Sequence, residues 1–257
     1  MNILEIQELE VGYPAKTVLS NINLTVSAGQ FVSVIAPNGT GKSTLLKAIA
    51  GILKPHNGTI FLHGKALTDY SRRELAQQIA VVGSEVTMQE YTALQMVLMG
   101  RFPHIPRFSG PSPADHEIVE TAMQESGVWD KRFRSCSELS QGERQKIIIA
   151  RALAQQPRLL LLDEPTAHLD ISNQFSILHL IKKLALTKNM AVIAVMHDIN
   201  LAMQFSTDLL FLKKGQVLAY GSCREVATAE NLHQLYDMDF ILHRDAAATY
   251  VRPNMTE

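Results

Sequence analysis

Two hydrophobic periods alternate along the chain. Leu9, Val11 and Tyr13 set against Glu10 and Gly12, and Ile22, Leu24 and Val26 set against Asn23 and Thr25, repeat every second residue. That period predicts two half-buried strands. Predominantly apolar runs at Phe31–Ile35, Ile79–Val82, Leu159–Asp163 and residues 190–196 predict strands covered on both faces, as in a parallel sheet. A shorter strand is expected over residues 59–64, closed by Gly64. Helical patterns occupy residues 43–53, 71–78, 114–126 and 172–186, with Leu94, Val97 and Leu98 marking one more. Another helix, capped by Ser140, starts near Gly142 and Glu143; Ile147, Ile148, Ala150 and Leu153 face inward, and Pro157 ends it.

The alternation implies an α/β fold. Between the strand at Ile79–Val82 and the one at Leu159–Asp163 the character changes: helical segments flank residues 102–113, which carry Pro103, Pro106, Pro111 and Pro113 and exclude regular structure. A helical insert over about 88–150 is therefore expected. Residues 208–212 and 216–220 form a hairpin around the Lys213–Gly215 turn. Residues 225–236 read as helical, and the chain from about Ala246 is expected to be loose.

The apolar run Phe31–Ile35 leads into APNGTGKST, a glycine-bearing turn that opens a helix. Strand, loop and helix in that order form a phosphate site, because the first turn of a helix has unpaired N–H groups and glycines let the backbone approach an anion. Lys42 is placed to reach the β- and γ-phosphates of a nucleotide, and the Ser43 hydroxyl to ligate magnesium. The pattern G-x-x-x-x-G-K-[ST] is met at Gly41, Lys42 and Ser43, but Ala36 stands where its first glycine belongs. Alanine fits there if its φ is negative.

Leu159–Asp163 delivers Asp163 and Glu164 to its carboxyl end, where ligands bind in open α/β sheets. Asp163 suits the magnesium shell, and Glu164 can polarise the attacking water or take its proton. His197 ends the strand over 190–196; if the strands are parallel it shares an edge with Lys42 and Asp163 and is a candidate γ-phosphate contact. The helix capped by Ser140 offers a second anion site at its N-terminus. Tyr13 has two readings, a stacking platform for adenine or an ordinary edge tyrosine.

Bulk properties narrow the class further. Hydrophobic residues at 46% and charged residues at 19% describe a soluble globular protein. A net charge of −1 lacks the basic surplus of a dispersed nucleic-acid footprint, so no nucleic-acid partner is expected. MNILEIQELE is acidic and alternating, unlike a signal peptide, and no apolar run approaches a membrane span. A cytoplasmic protein is expected. Cys136 and Cys223, without paired spacing, are expected to be reduced thiols.

Over about Leu4 to Cys223 the chain resembles the nucleotide-binding subunit of ATP-binding cassette (ABC) transporters. The residues that carry the resemblance are the Walker A stretch APNGTGKST, the signature LSQGE at residues 139–143, the Walker B strand LLLLDE, the D-loop AHLD at residues 167–170, and the switch histidine His197. The signature separates this family from other phosphate-loop proteins. The resemblance implies a P-loop NTPase (RecA-like) core with an antiparallel β subdomain and an inserted α-helical subdomain, spanning residues 1–223, followed by a C-terminal helical extension and tail over 224–257. It implies ATP and Mg2+ as cofactors. The nucleotide would be held by Tyr13, Asn38, Gly39, Thr40, Gly41, Lys42, Ser43 and Thr44. Ser140, Gln141 and Gly142, with Asp170 of the D-loop, would close over the γ-phosphate bound to a second copy. The magnesium set would be Ser43, Asp163 and Ser84; Glu164, His197 and Lys42 would be catalytic.

VLMGRFPH (residues 97–104), DEPTAHLDI (163–171) and MHDINLA (196–202) resemble the ATPases of importers for iron chelates, haem and cobalamin. Such proteins act as homodimers on a polytopic membrane permease, at the cytoplasmic face of the membrane, with a substrate-binding protein outside. Ser84 departs from the family, which has glutamine at that position touching magnesium and the attacking water. The alternatives are a soluble cassette ATPase serving a cytoplasmic assembly such as an iron–sulfur scaffold, and a nucleotide-gated subunit without hydrolysis. GRFPH favours the importer over the first, and Glu164 with His197 argues against the second.

Overall fold

The computed structural model describes residues 1–83, 91–244 and 249–254. In chain order the elements are β1 (Asn2–Tyr13), β2 (Lys16–Ser27), β3 (Phe31–Ile35), α1 (Lys42–Ile49), β4 (Asn57–Leu62), β5 (Lys65–Ala66), α2 (Arg72–Gln78) and β6 (Ile79–Val82). The insert follows as α3 (Ala93–Leu98), α4 (Pro113–Glu125) and α5 (Gln141–Ala154). Then come β7 (Leu159–Asp163), α6 (Ile171–Thr187), β8 (Ala191–Val195), α7 (Ile199–Phe205), β9 (Asp208–Lys213) and β10 (Gln216–Ser222). The chain closes with α8 (Cys223–Val226), α9 (Ala229–Tyr236), β11 (Phe240–Arg244) and β12 (Thr249–Pro253).

The central sheet has the order β10-β9-β3-β8-β7-β6, parallel except for the β9–β10 hairpin. Apart from Ser33 and Asp163 its middle strands are apolar, because both faces are covered. Leu159, Leu161, Val32, Val34 and Ile193 point toward α1 and the small antiparallel sheet β2-β1-β4-β5. Leu160, Leu162, Phe31, Ile35 and Val192 point toward α5, α6 and α7. Each such fully buried side chain contributes about 1.5–3 kcal/mol relative to exposure. The parallel strands thereby end together, and β3, β8 and β7 lie side by side.

Several boundaries differ from the hydrophobic pattern. β1 reaches back to Asn2, and α1 stops at Ile49, before the expected residue 53, where Gly51 takes φ 70°. Pro113 is the first residue of α4, capped by Ser112, since a missing N–H is harmless in a first turn. Residues 225–236 are interrupted at Ala227, so the region is not one helix. The tail is not loose throughout: Thr249–Pro253 pairs with Phe240–Arg244 and buries Val251. Alternation too short to register as a strand alone is enough once a partner strand and a core face are present.

The insert is fastened rather than draped. Arg101, 5% exposed, binds Asp115 at 2.8 Å and donates to the Ala154 carbonyl at 2.7 Å, closing the end of α5. Those hydrogen bonds, from Ser112 first and then Arg101, hold the Asp115 carboxyl well below the usual carboxylate range. Within the proline-rich loop, Arg73 and Gln77 of α2 donate to the Pro103 carbonyl at 2.8 and 2.9 Å.

Candidate active site

The loop after β3 turns through Gly39 (φ 76°) and Gly41 (φ 106°), a left-handed backbone that favours glycine. Gly41 has a second reason: a Cβ there would come within 2.7 Å of Leu19 Cδ2 and 2.9 Å of Val18 Cγ1. Gly41 is also the N-cap of α1, which has no side-chain cap and no acid in its first turn. Its first N–H groups are thus left for an anion. Ala36 is buried and lies outside the positive-φ residues, so its Cβ is tolerated. Asn38, Gly39 and Ser43 are exposed, Thr44 is buried, and Thr40 Oγ1 donates to the Pro37 carbonyl at 2.7 Å.

Lys42 is 7% exposed and donates to the Ala36 and Pro37 carbonyls at 2.8 and 3.2 Å. Burial pushes its pKa down, and the Glu164 and Asp163 carboxylates pull it partly back. Those two acids thus lie within electrostatic reach of the ammonium, at the end of β7. Glu164 sits at φ 53°, a strained conformation for a residue with a side chain. Its Oε1 meets His197 Nε2 at 2.6 Å. That contact exists because β7 and β8 are neighbours and Asp163 pairs with Val195. A cleft of about 160 Å3 opens beside the pair, lined also by Thr166, His168 and Asp198.

Ser43 and Asp163 supply a hydroxyl and a carboxylate, hard oxygen donors. Among the described residues no group of three or more His, Cys, Asp or Glu is gathered. This donor set fits Mg2+, which keeps waters and phosphate oxygens rather than occupying an all-protein cage. Ser84 lies outside the described residues.

The chain is similar to known proteins over nearly its whole length. The family model described as ABC transporter matches residues 19–167. The chain belongs to the ABC transporter family. Within it, the chain is 36% identical over 240 residues to the iron(3+)-hydroxamate import ATP-binding protein FhuC of Bacillus subtilis, covering 93% of this chain and 89% of that one. It is 35% identical over 243 residues to the ferric enterobactin transport ATP-binding protein FepC of Escherichia coli, covering 94% and 90%. A solved structure described as an inward-facing ABC transporter of the metal-chelate type superposes with TM-score 0.86 at 31% identity, covering 98% and 97%. The ABC chain is accordingly an ATPase, built on the P-loop core with its antiparallel and helical parts.

The remaining expected residues of this ABC ATPase lie on α5, α6 and the β1–β2 hairpin. Ser140 is exposed at the N-cap of α5; its Oγ accepts from the Glu143 amide at 3.3 Å, while Glu143 Oε2 accepts from the Ser140 amide at 2.9 Å. Gln141 is exposed and Gly142 buried. A Cβ on Gly142 would lie 2.4 Å from Asn173 Oδ1. Asn173 in turn gives both its amides to Asp170, the N-cap of α6, at 2.8 and 2.9 Å. Signature and D-loop are thereby joined within one chain through Asn173, a residue the sequence reading did not single out and that only the packing of α5 on α6 reveals. Glu143 was legible, as the fourth residue of Ser-x-x-Glu. Tyr13 is 45% exposed at the end of the hairpin whose Val18 and Leu19 pack on Gly41. Ser140, Gln141, Gly142 and Asp170 do not share the cleft lined by Glu164 and His197.

Proposed function

We propose that this ATPase is the energy-supplying subunit of an importer that takes up an iron-siderophore, haem or cobalamin-type metal chelate through a partner permease. The observation that carries the hydrolytic part is the Glu164–His197 contact at 2.6 Å, opposite Lys42 at one edge of the sheet. The import part rests on the relatives, whose names place them in iron(3+)-hydroxamate import and ferric enterobactin transport.

The α1 N-terminus and residues 38–43 cradle the β- and γ-phosphates, and Lys42 exchanges loop carbonyls for phosphate oxygens. Tyr13 stacks on adenine. Ser43, Asp163 and Ser84 would hold Mg2+, which would supply neutralisation of the phosphate charge. Glu164 takes the proton of a water that attacks the γ-phosphorus as the bond to the β-bridging oxygen breaks and ADP leaves. His197 steadies that carboxylate. Ser140, Gln141, Gly142 and Asp170 belong to the neighbouring half-site, so two copies are needed for a complete one. A solved cassette at 28% identity is a dimer bound to ADP and phosphate. The ATPase domain takes in residues 1–223, with 224–257 as its extension.

Among the described residues no helix is long and apolar enough to cross a membrane. The transport path is assigned to a partner permease on the strength of the import relatives. The permease would seat on the outer side of α2 and edge strand β6, where Ile52 and Val81 are exposed at a cleft of about 330 Å3. The proline-rich loop with exposed Phe102 and Phe108 is tied to that same α2. On this reading the subunit works at the cytoplasmic face of the membrane, with a substrate-binding protein acting from outside.

A detergent pull-down of the tagged chain from its native membranes tests the assignment. A polytopic permease should co-purify, and uptake of a radiolabelled ferric chelate or cobalamin should require wild-type chain and fail with Glu164→Gln. Recovery of a soluble scaffold alone would overturn the importer reading.

A further inference from the structure

The C-terminal hairpin folds back onto the helix that follows His197. Val251 of β12, 4% exposed, belongs to the core that contains Ile199 and Leu201 of α7. This contact has a polar centre. Asn200 Nδ2 donates to the Val251 carbonyl at 3.1 Å, and Asn200 Oδ1 accepts from the Val251 amide at 2.8 Å. One carboxamide thus satisfies both backbone groups of one residue, as a neighbouring strand would.

Asn200 stands three residues after His197, inside the first turn of α7. Asp198 caps that turn, accepting from the Asn200 and Leu201 amides at 2.7 and 3.1 Å. The His197 side chain is half exposed, so packing does little to set its direction, and the backbone of residues 196–200 must do so. Val251 is a fixed point for that backbone. Its hairpin is anchored by Arg244, which donates to the Arg224 and Ala227 carbonyls at 3.1 and 3.0 Å, and by Phe240 against Tyr236.

We propose that Asn200 is a positioning residue for ATP hydrolysis: through its paired hydrogen bonds to Val251 it holds the first turn of α7, and with it the His197 imidazole against Glu164. The C-terminal hairpin is then part of the hydrolytic machinery. This inference rests on reading Glu164 and His197 as the hydrolytic pair.

Steady-state ATPase kinetics of the full chain, with Asn200→Ala, Asn200→Asp and His197→Ala singly and Asn200→Ala with His197→Ala, tests it. Asn200→Ala should lower kcat about tenfold, the scale of a small misplacement, and leave KM for ATP within about twofold. Asn200→Asp keeps the acceptor for the Val251 amide but loses the donor, and should fall between. Added to His197→Ala, Asn200→Ala should cost nothing more, since both act through one imidazole. Losses that multiply, or an unchanged kcat for Asn200→Ala, would overturn the proposal. An unchanged kcat for His197→Ala would instead remove the pair on which it rests. Should Asn200→Ala fail to fold, the isosteric Asn200→Asp chain with labelled histidine decides: shifted His197 ring resonances are expected, and unshifted ones refute it.

Discussion

The N-terminus of α1 carries no side-chain cap, whereas that of α5 is closed by the reciprocal Ser140–Glu143 hydrogen bonds. Both end in the direction of a phosphate in the proposed mechanism, yet they are prepared differently. α1 begins after Gly41, has no acid in its first turn, and places Lys42 beside its free N–H groups. α5 has Glu143 in its first turn, a carboxylate that satisfies the Ser140 amide and opposes any anion nearby. The difference teaches that, in the proposed mechanism, the α1 end is the one prepared to hold phosphate without a partner. The α5 end keeps the Ser140 hydroxyl hydrogen and the Gln141 and Gly142 amides to give, but beside the Glu143 carboxylate, so in the proposed mechanism it contributes once a phosphate is presented to it.

The largest effect should come from the chemistry that only the α1 side possesses. Glu164→Gln is expected to slow hydrolysis by roughly 10²–10⁴ while ATP binding persists, measured by single-turnover hydrolysis beside fluorescent-nucleotide titration. Unchanged turnover would take Glu164 out of the mechanism. Lys42→Ala should lower hydrolysis by about 10²–10³ and weaken nucleotide binding as well. Full retention of affinity would mean that the α1 amides suffice without the ammonium.

Two smaller effects probe the α5 side. Gly142→Ala places a methyl group against Asn173 and should destabilise the chain by about 1–3 kcal/mol, read as a lowered melting temperature. Adding Asn173→Ala should recover most of that loss; no recovery would show that the strain lies elsewhere. The smallest effect belongs to the cap. Glu143→Gln keeps the shape and removes the charge. In the wild type the Ser140 amide chiefly holds the Glu143 carboxyl below its ordinary value. A carboxyl depressed in the folded state stabilises above its unfolded pKa of about 4.3, and that contribution fades as pH falls through the lowered value. The wild-type advantage in chemical denaturation should therefore be present near neutral pH and shrink below about pH 4. A difference independent of pH would assign Glu143 a packing role only.

Much of the α1 side was legible because its parts are neighbours in the chain: residues 36–44 form one loop and the first turn of α1, and Asp163 and Glu164 follow one apolar run. Ser140 announced the α5 cap for the same reason. Placing His197 at the same edge needed the assumption of parallel strands, and its contact with Glu164 needed β7 and β8 to be adjacent. Gly142 against Asn173, and Asn200 against Val251, join residues far apart in the sequence and left no periodic trace. Nor did the hydrophobic pattern reveal the strand Thr249–Pro253, since only Val251 among its residues is buried.

By itself the sequence determined most of the strands and helices up to β10, the phosphate loop, the acidic pair and the capped signature helix, because helix and strand periods, glycine turns and caps are properties of a few consecutive residues. Tertiary structure alone decided which of these meet. Sheet order brings Glu164 to His197, helix packing seats Asn173 on Gly142, and the C-terminal hairpin is held to α7 by Asn200. The physical reason is that such contacts depend on which distant surfaces bury one another, and a side chain's local neighbours carry no record of that choice.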